Sequence, residues 1–165
     1  NNYINGRSGR TLMKLSKNFS LKELTRSQTA IRMGIENVPN TEQLVNLAVL
    51  VQQILQPCRD KFGTIAINSG LRVLELNRAI GSGDKSQHTK GEASDFEAYS
   101  VSNREMAKWI KDNLDFDQLI LEYPGPDPRD GWVHCSYKKD GSNRNQILTA
   151  VKEGKKTIYK KGLQE

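Results

Sequence analysis

The order of segments along the chain predicts an α+β fold, a small, mainly antiparallel sheet with flanking helices. Three observations carry this expectation. Leu44, Leu47, Ala48, Val51, Ile54 and Leu55 recur at three- and four-residue steps, the period of an amphipathic helix. From Thr64 the period shortens, and Thr64-Ile-Ala-Ile-Asn68 reads as a strand. Further short apolar segments then alternate with helical patterns and with Gly- and Pro-rich breaks, without internal repeats or low-complexity tracts.

Taken in order, residues 1–18 are polar and basic and read as a flexible N-terminal arm, partly docked through Leu12, Met13 and Leu15. Residues 19–165 read as one domain. Ser20-Leu-Lys-Glu23 has capping-box spacing and opens a short helix. Pro39-Asn40 starts the long helix, and Pro57 and Gly63 punctuate its end, with a further turn through Cys58 and Phe62 left open. After the Thr64–Asn68 strand come a turn at Ser69-Gly70 and a brief helix from Leu74 to Ile80. Ala93 to Ala98 is a strand, and Ser102-Asn-Arg-Glu105 caps a helix with Met106, Trp109 and Ile110 facing inward. Gln118–Tyr123 and Trp132–Tyr137 are strands joined by Pro124-Gly-Pro-Asp-Pro-Arg-Asp-Gly131, a loop forced by three prolines and two glycines. A last helix or strand pair follows between Gln146 and Tyr159.

Composition narrows the function. A chain of 165 residues and 18.6 kDa suits one core. Its longest apolar run, Leu47–Val51, is far below the roughly 20 residues of a spanning helix. Two His and two Cys exclude zinc modules built on Cys-x-x-Cys pairs and exclude a disulfide-dense scaffold. Cys58 and Cys135 read most simply as buried free thiols, with pairing left open. Twenty-five Lys and Arg against 19 Asp and Glu leave a net charge of +6, which favours anionic partners: nucleic acid, acidic lipid or an anionic cell wall. The Lys155-Lys156 and Lys160-Lys161 pairs come without a helix-turn-helix, finger or aromatic strand motif, so no sequence-specific nucleic acid is expected. The sequence opens on Asn1, which reads as a processed or trimmed start, and shows no charged-then-apolar leader.

Both histidines fall in patterns that carry chemistry. His88 lies in Ser86-Gln-His88-Thr-Lys-Gly91-Glu-Ala93-Ser-Asp95, where Gly91 lets the chain reverse between imidazole and carboxylate. His134 lies in the Trp132-Val-His134-Cys-Ser strand, facing the same side as Ser136. Two imidazoles and one carboxylate make a three-ligand site of the kind zinc uses catalytically. A metal-activated water still needs a carboxylate to take its proton. Glu122, isolated at the end of an apolar strand, is the candidate for that role, and Glu97 competes because it shares a strand face with Asp95. Arg72, on the tight turn after the first strand, is placed to stabilise an oxyanion. Ser86 and Gln87 are candidate hydrogen-bond donors to substrate, and Trp132 is a candidate cleft wall or core residue.

These residues resemble a known signature. Ser69-Gly-Leu-Arg72, Ser86-x-His88-x-x-Gly91-x-Ala93-x-Asp95, Glu122 and Trp132-Val-His134 are similar to the motifs of the zinc D-Ala-D-Ala carboxypeptidase family, which includes phage endolysins and other peptidoglycan-stem peptidases. The resemblance covers about Phe19 to Tyr137. It departs in two places: Trp132 stands where many relatives carry His, and Glu122 precedes the last ligand by a whole loop, whereas other relatives carry the Glu three residues before it. The resemblance implies the hedgehog/DD-peptidase-like α+β fold and one Zn2+ per chain, held by His88, Asp95 and His134. It also implies Glu122 as general base and acid and Arg72 at the transition state. The implied partner is a peptidoglycan stem peptide, met by a monomer at the bacterial cell wall. The competing readings are a non-catalytic, zinc-stabilised cell-wall-binding or virion structural module, a nucleic-acid binder, and a Ser or Cys hydrolase. The last would need the same two histidines and lacks a Gly-x-Ser-x-Gly elbow.

Overall fold

A computed structural model of the chain describes residues 13–165, so Leu12 and the rest of the predicted arm before it lie outside the described residues. Within the part described, Leu15 is buried in the core and Met13 packs against it. Leu21 N–H donates to the Met13 carbonyl at 2.9 Å.

Helix α1 (Leu21–Thr25) opens on a complete capping box: Ser20 Oγ accepts from Glu23 N–H, and the Glu23 carboxylate accepts from Ser20 N–H. A six-residue helix, α2 (Gln28–Met33), follows and was not expected, because six residues are too few to display a 3.6-residue period. Only its Ser27 cap and Gly34 terminator mark it. Helix α3 (Thr41–Leu50) starts from reciprocal side-chain bonds between Asn40 and Gln43. It continues through a π-turn at Val51–Leu55 into α4 (Gln56–Phe62), so the helix passes Pro57 and ends at Gly63. In the widened turn Gln56 N–H reaches back to the Val51 carbonyl, and Pro57 sits at the first turn of the next segment, where a missing N–H costs least. Helix α5 (Leu74–Ala79) is short, and α6 (Asn103–Asn113) is capped by Ser102.

Six strands form one sheet in the order β1-β2-β4-β3-β5-β6. They are β1 (Ile65–Ser69), β2 (Ala93–Ala98), β3 (Gln118–Glu122), β4 (Trp132–Ser136), β5 (Gln146–Glu153) and β6 (Lys156–Lys161). Every pairing is antiparallel except β3 with β5. The C-terminal segment is therefore a strand pair rather than a helix. The observed class is α+β with a mostly antiparallel sheet, as the segment order predicts.

Strand periodicity sorts the sheet into two faces. Phe96, Leu119, Val133 and Cys135 join Leu47, Leu50, Ile54, Met106 and Ile110 in one apolar cluster, all fully buried. Burial of each large side chain there stabilises by roughly 1.5–3 kcal/mol. The residues between them project from the opposite face. Register aligns these in rows: Asp95 opposite His134 opposite Ile120, and one step along, Trp132 opposite Glu122 opposite Ala150 opposite Tyr159.

Candidate metal centre and active-site cleft

The 3₁₀ turn Gln87–Lys90 delivers His88. Ser86 opens it by accepting from His88 N–H, and Gly91 closes it in the left-handed conformation at φ +74°. Gly91 also packs against α3, where a Cβ would stand 2.6 Å from the Gln43 carbonyl oxygen, so both backbone and space require glycine. His88 Nδ1 lies 2.8 Å from the Gly70 carbonyl oxygen. That contact calls for a proton on Nδ1 and leaves the Nε2 lone pair free. Nε2 stands 3.4 Å from Asp95 Oδ1, and His134 Nδ1 stands 2.9 Å from the same oxygen. The two rings meet edge-on with centroids 5.2 Å apart.

One ligand atom from each of the three residues lies within 4.8 Å of the other two. Zinc holds N and O ligands at about 2.0–2.1 Å, which puts two tetrahedral ligands roughly 3.4 Å apart. The His–Asp–His set fits that ion in donor type, number and spacing. Its electrostatics fit as well. Burial pushes the His88 pKa down, opposed by the adjacent Asp95 carboxylate and aided by His134 and Arg72, so His88 favours the neutral form that binds metals. Burial alone would raise the Asp95 pKa, but the His134 ring hydrogen-bonded to it and the adjacent His88 imidazole hold it far below the usual carboxylate range.

The triad sits in a cleft of about 790 Å³ whose walls include Arg72, Ser86, Gln87, Glu122 and Trp132. Arg72 is positioned twice over: its backbone N–H donates to the His88 carbonyl at 3.0 Å, and its Nε donates to Asn77 Oδ1 at 3.1 Å. Burial lowers its pKa, countered by the charges of Asp95 and Glu122, and a guanidinium stays cationic through such a shift. Glu122 is diagonal to His134 across β3 and β4, a separation of about 7–8 Å between backbones. Desolvation raises its pKa and Asp95 adds to this, while His134 and Arg72 pull it down. Glu97, the competing carboxylate, accepts from Asn68 Nδ2 at 3.0 Å and Asn103 Nδ2 at 3.3 Å, away from the cleft walls.

The candidate substrate contacts differ among themselves. The Gln87 amide is engaged, donating to Asp117 Oδ2 at 3.0 Å. The Trp132 ring lies tilted against Tyr123 with centroids 5.4 Å apart, and its indole N–H is buried with no hydrogen-bond partner among the described residues. Cys58 and Cys135 are both free and buried; burial raises the Cys58 pKa to about 12 and that of Cys135 well above the ordinary thiol value. Cys135 belongs to the core face of β4, opposite the triad.

Several cleft residues escaped the sequence reading: Asp117, Lys138, Arg144, Tyr123 and Tyr159. None falls in a local motif. The 27-position separation of Asp117 and Arg144, and the strand pairing that sets Tyr159 in the same row as Glu122, leave no trace in the pattern of the chain. Among the described residues no helix is long and apolar enough to cross a membrane.

No curated protein matches the chain. The Peptidase M15 family model matches residues 17–136, the stretch that holds the triad, Arg72 and Glu122. The chain therefore belongs to the Peptidase M15 family, the zinc D-Ala-D-Ala carboxypeptidase-like peptidases.

Proposed function

We propose that this chain is a zinc peptidase that hydrolyses a peptide bond in the peptidoglycan stem peptide or cross-bridge. One observation carries the reading: among the described residues, the cluster that could hold a metal consists of three protein donors, the catalytic pattern, rather than the four that close a structural zinc site. Zinc held by His88, Asp95 and His134 would supply Lewis acidity and acidify water at the site.

The chain's own residues supply the rest. Glu122 accepts the proton of the attacking water and passes it to the departing amine. Its raised pKa brings it closer to working pH and suits it to both halves of that transfer. Arg72, fixed by Asn77 and the His88 carbonyl, places a positive charge where the scissile carbonyl oxygen becomes anionic. Trp132 and Ser86 border the same space and shape it for substrate. The net charge of +6 favours adhesion to an anionic bacterial wall, the proposed place of action, where the chain works as a monomer.

The test is release of new amino groups from purified peptidoglycan with and without chelator, followed by mass spectrometry of fragments from defined muropeptides with zinc added. Zinc-dependent release from a stem or cross-bridge bond is expected. Release that ignores the chelator, or none from any wall chemotype, refutes the reading in favour of a non-catalytic wall-binding module.

A further inference from the structure

We propose that Arg144, held by the buried carboxylate of Asp117, is the carboxylate-binding residue of this cleft; the inference rests on the peptidase reading and specifies its substrate. Asp117 stands immediately before β3 with its side chain 0% exposed. It accepts from Arg144 Nη2 at 2.8 Å, from Arg144 Nε at 3.0 Å and from the Arg144 backbone N–H at 3.1 Å. It also accepts from Gln87 Nε2 at 3.0 Å, and Lys138 Nζ stands 3.9 Å away. One buried negative charge thus gathers two cations; Lys138 is also shared with Glu92 and Asp140, which leaves Arg144 as the cation directed at the cleft.

The geometry gives that charge a direction. A guanidinium carries five N–H donors in one plane. Asp117 takes the Nε–Nη2 edge, and the remaining donors belong to a side chain that is 52% exposed and borders the cleft. A guanidinium anchored by one edge offers the other to a planar, bidentate acceptor, which is a carboxylate. The loop bearing it is preset: Asn145 accepts from Phe116 N–H through its side chain and donates its own N–H to the Phe116 carbonyl. Such preorganisation spares the ordering cost of binding.

Distance along the sheet selects where the carboxylate sits in the substrate. Gln87, which touches Asp117, is the neighbour of His88, and Asp117 N–H donates to the carbonyl of Ser136, two residues beyond His134. Two strand residues span about 7 Å. The Asp117–Arg144 pair thus lies along the same cleft within a few substrate residues of the triad, in reach of a carboxylate near the cleaved bond. Arg144 lies beyond the residues that match the family, so the anchor belongs to this chain's own C-terminal segment.

The substrate carboxylate has two sources, a free C-terminus or an acidic side chain, and the test separates them. The zinc-loaded chain carrying Glu122→Gln, to prevent turnover, is titrated with three N-acetyl alanine tripeptides. One ends in a free carboxylate, one in an amide, and one is an amide with glutamate in place of the last alanine. The readouts are calorimetric affinity and the Arg144 side-chain Nε resonance. The free acid should bind about tenfold more tightly than the plain amide, shifting the Arg144 resonance, which the plain amide leaves in place. Arg144→Gln should erase that preference, and Arg144→Lys should keep part of it, as a charge without the fork. If the glutamate amide rather than the free acid moves the resonance, the anchor stands and reads a side chain. Equal or undetectable binding of all three peptides, or an unmoved Arg144 resonance, overturns the proposal without relying on a variant that exposes Asp117 to loss of its partner. Cleavage by the unmodified chain is scored separately. Carboxylate binding through Arg144 with no cleavage sinks only the peptidase reading, and cleavage with a silent Arg144 sinks only this one.

Discussion

Gly131 couples the Pro-rich loop to the proposed base, and Gly131→Ala tests that coupling. The residue enters β4 at φ +74°, and a Cβ there would overlap the Glu122 carbonyl oxygen and stand 2.7 Å from that of Tyr123. The left-handed backbone costs a side chain roughly 1–2 kcal/mol. Forcing a methyl into filled space costs about 1–3 kcal/mol more, here against backbone that has to shift. Together they predict a loss of roughly 3 kcal/mol, a fall of about 6–12 °C in Tm for a chain of this size. Gly141→Ala is the internal control: its φ is +82°, yet nothing lies within 4 Å of the added Cβ, so only the backbone cost of roughly 1–2 kcal/mol applies. Thermal melts of the two variants separate strain from overlap. Zinc stoichiometry should hold in both, because neither residue contacts the triad. Hydrolysis by Gly131→Ala should fall by up to about 100-fold, since the end of β3 that carries Glu122 is displaced relative to His134. Equal Tm losses in the two variants, or full activity in Gly131→Ala, would refute the argument.

Three other outcomes follow. Glu122→Gln should lower kcat by about 10²–10⁴ while zinc content, read by elemental analysis, stays at one per chain; full turnover would disqualify Glu122 as the base. His88→Ala should lose the metal, seen as zinc released to a chromophoric chelator, whereas retention of stoichiometric zinc would remove His88 from the ligand set. The third concerns pH. Burial would raise the Asp117 pKa, but the bonds and charge of Arg144, with Lys138, hold it below the usual carboxylate range. A depressed folded pKa stabilises fully above the unfolded value near ~3.9 and loses that contribution as the pH falls through the folded value. Asp117→Asn should therefore cost about 2 kcal/mol at pH 7, and its gap from the parent in thermal melts should narrow below about pH 4. A gap that widens in acid would contradict the assigned pairing.

What could be read along the chain was local. Capping at Ser20 and Ser102, the apolar stripe from Leu44 to Leu55 and the alternation within β2, β3 and β4 all depend on residues a few positions apart. The same short range makes Ser86-x-His88 and Asp95 recognisable, because one turn at Gly91 suffices to bring them together. Helix α2 was too short to show a period, and Pro57 signalled a stop that a π-turn overrode.

The two histidines, Asp95 and the strand periods were thus enough to name a metal-binding pattern and the face on which it would lie. Which residues share that face with it was settled by strand order. Placing β4 between β2 and β3 sets His134 opposite both Asp95 and Ile120, and so brings Glu122, not Glu97, alongside the triad. The parallel β3–β5 pairing then carries the C-terminal segment to the cleft, with Tyr159 at one end and Arg144, clasped by Asp117, at the other. Such contacts span tens of residues, and hydrogen-bond register across a sheet, rather than spacing along the chain, determines them.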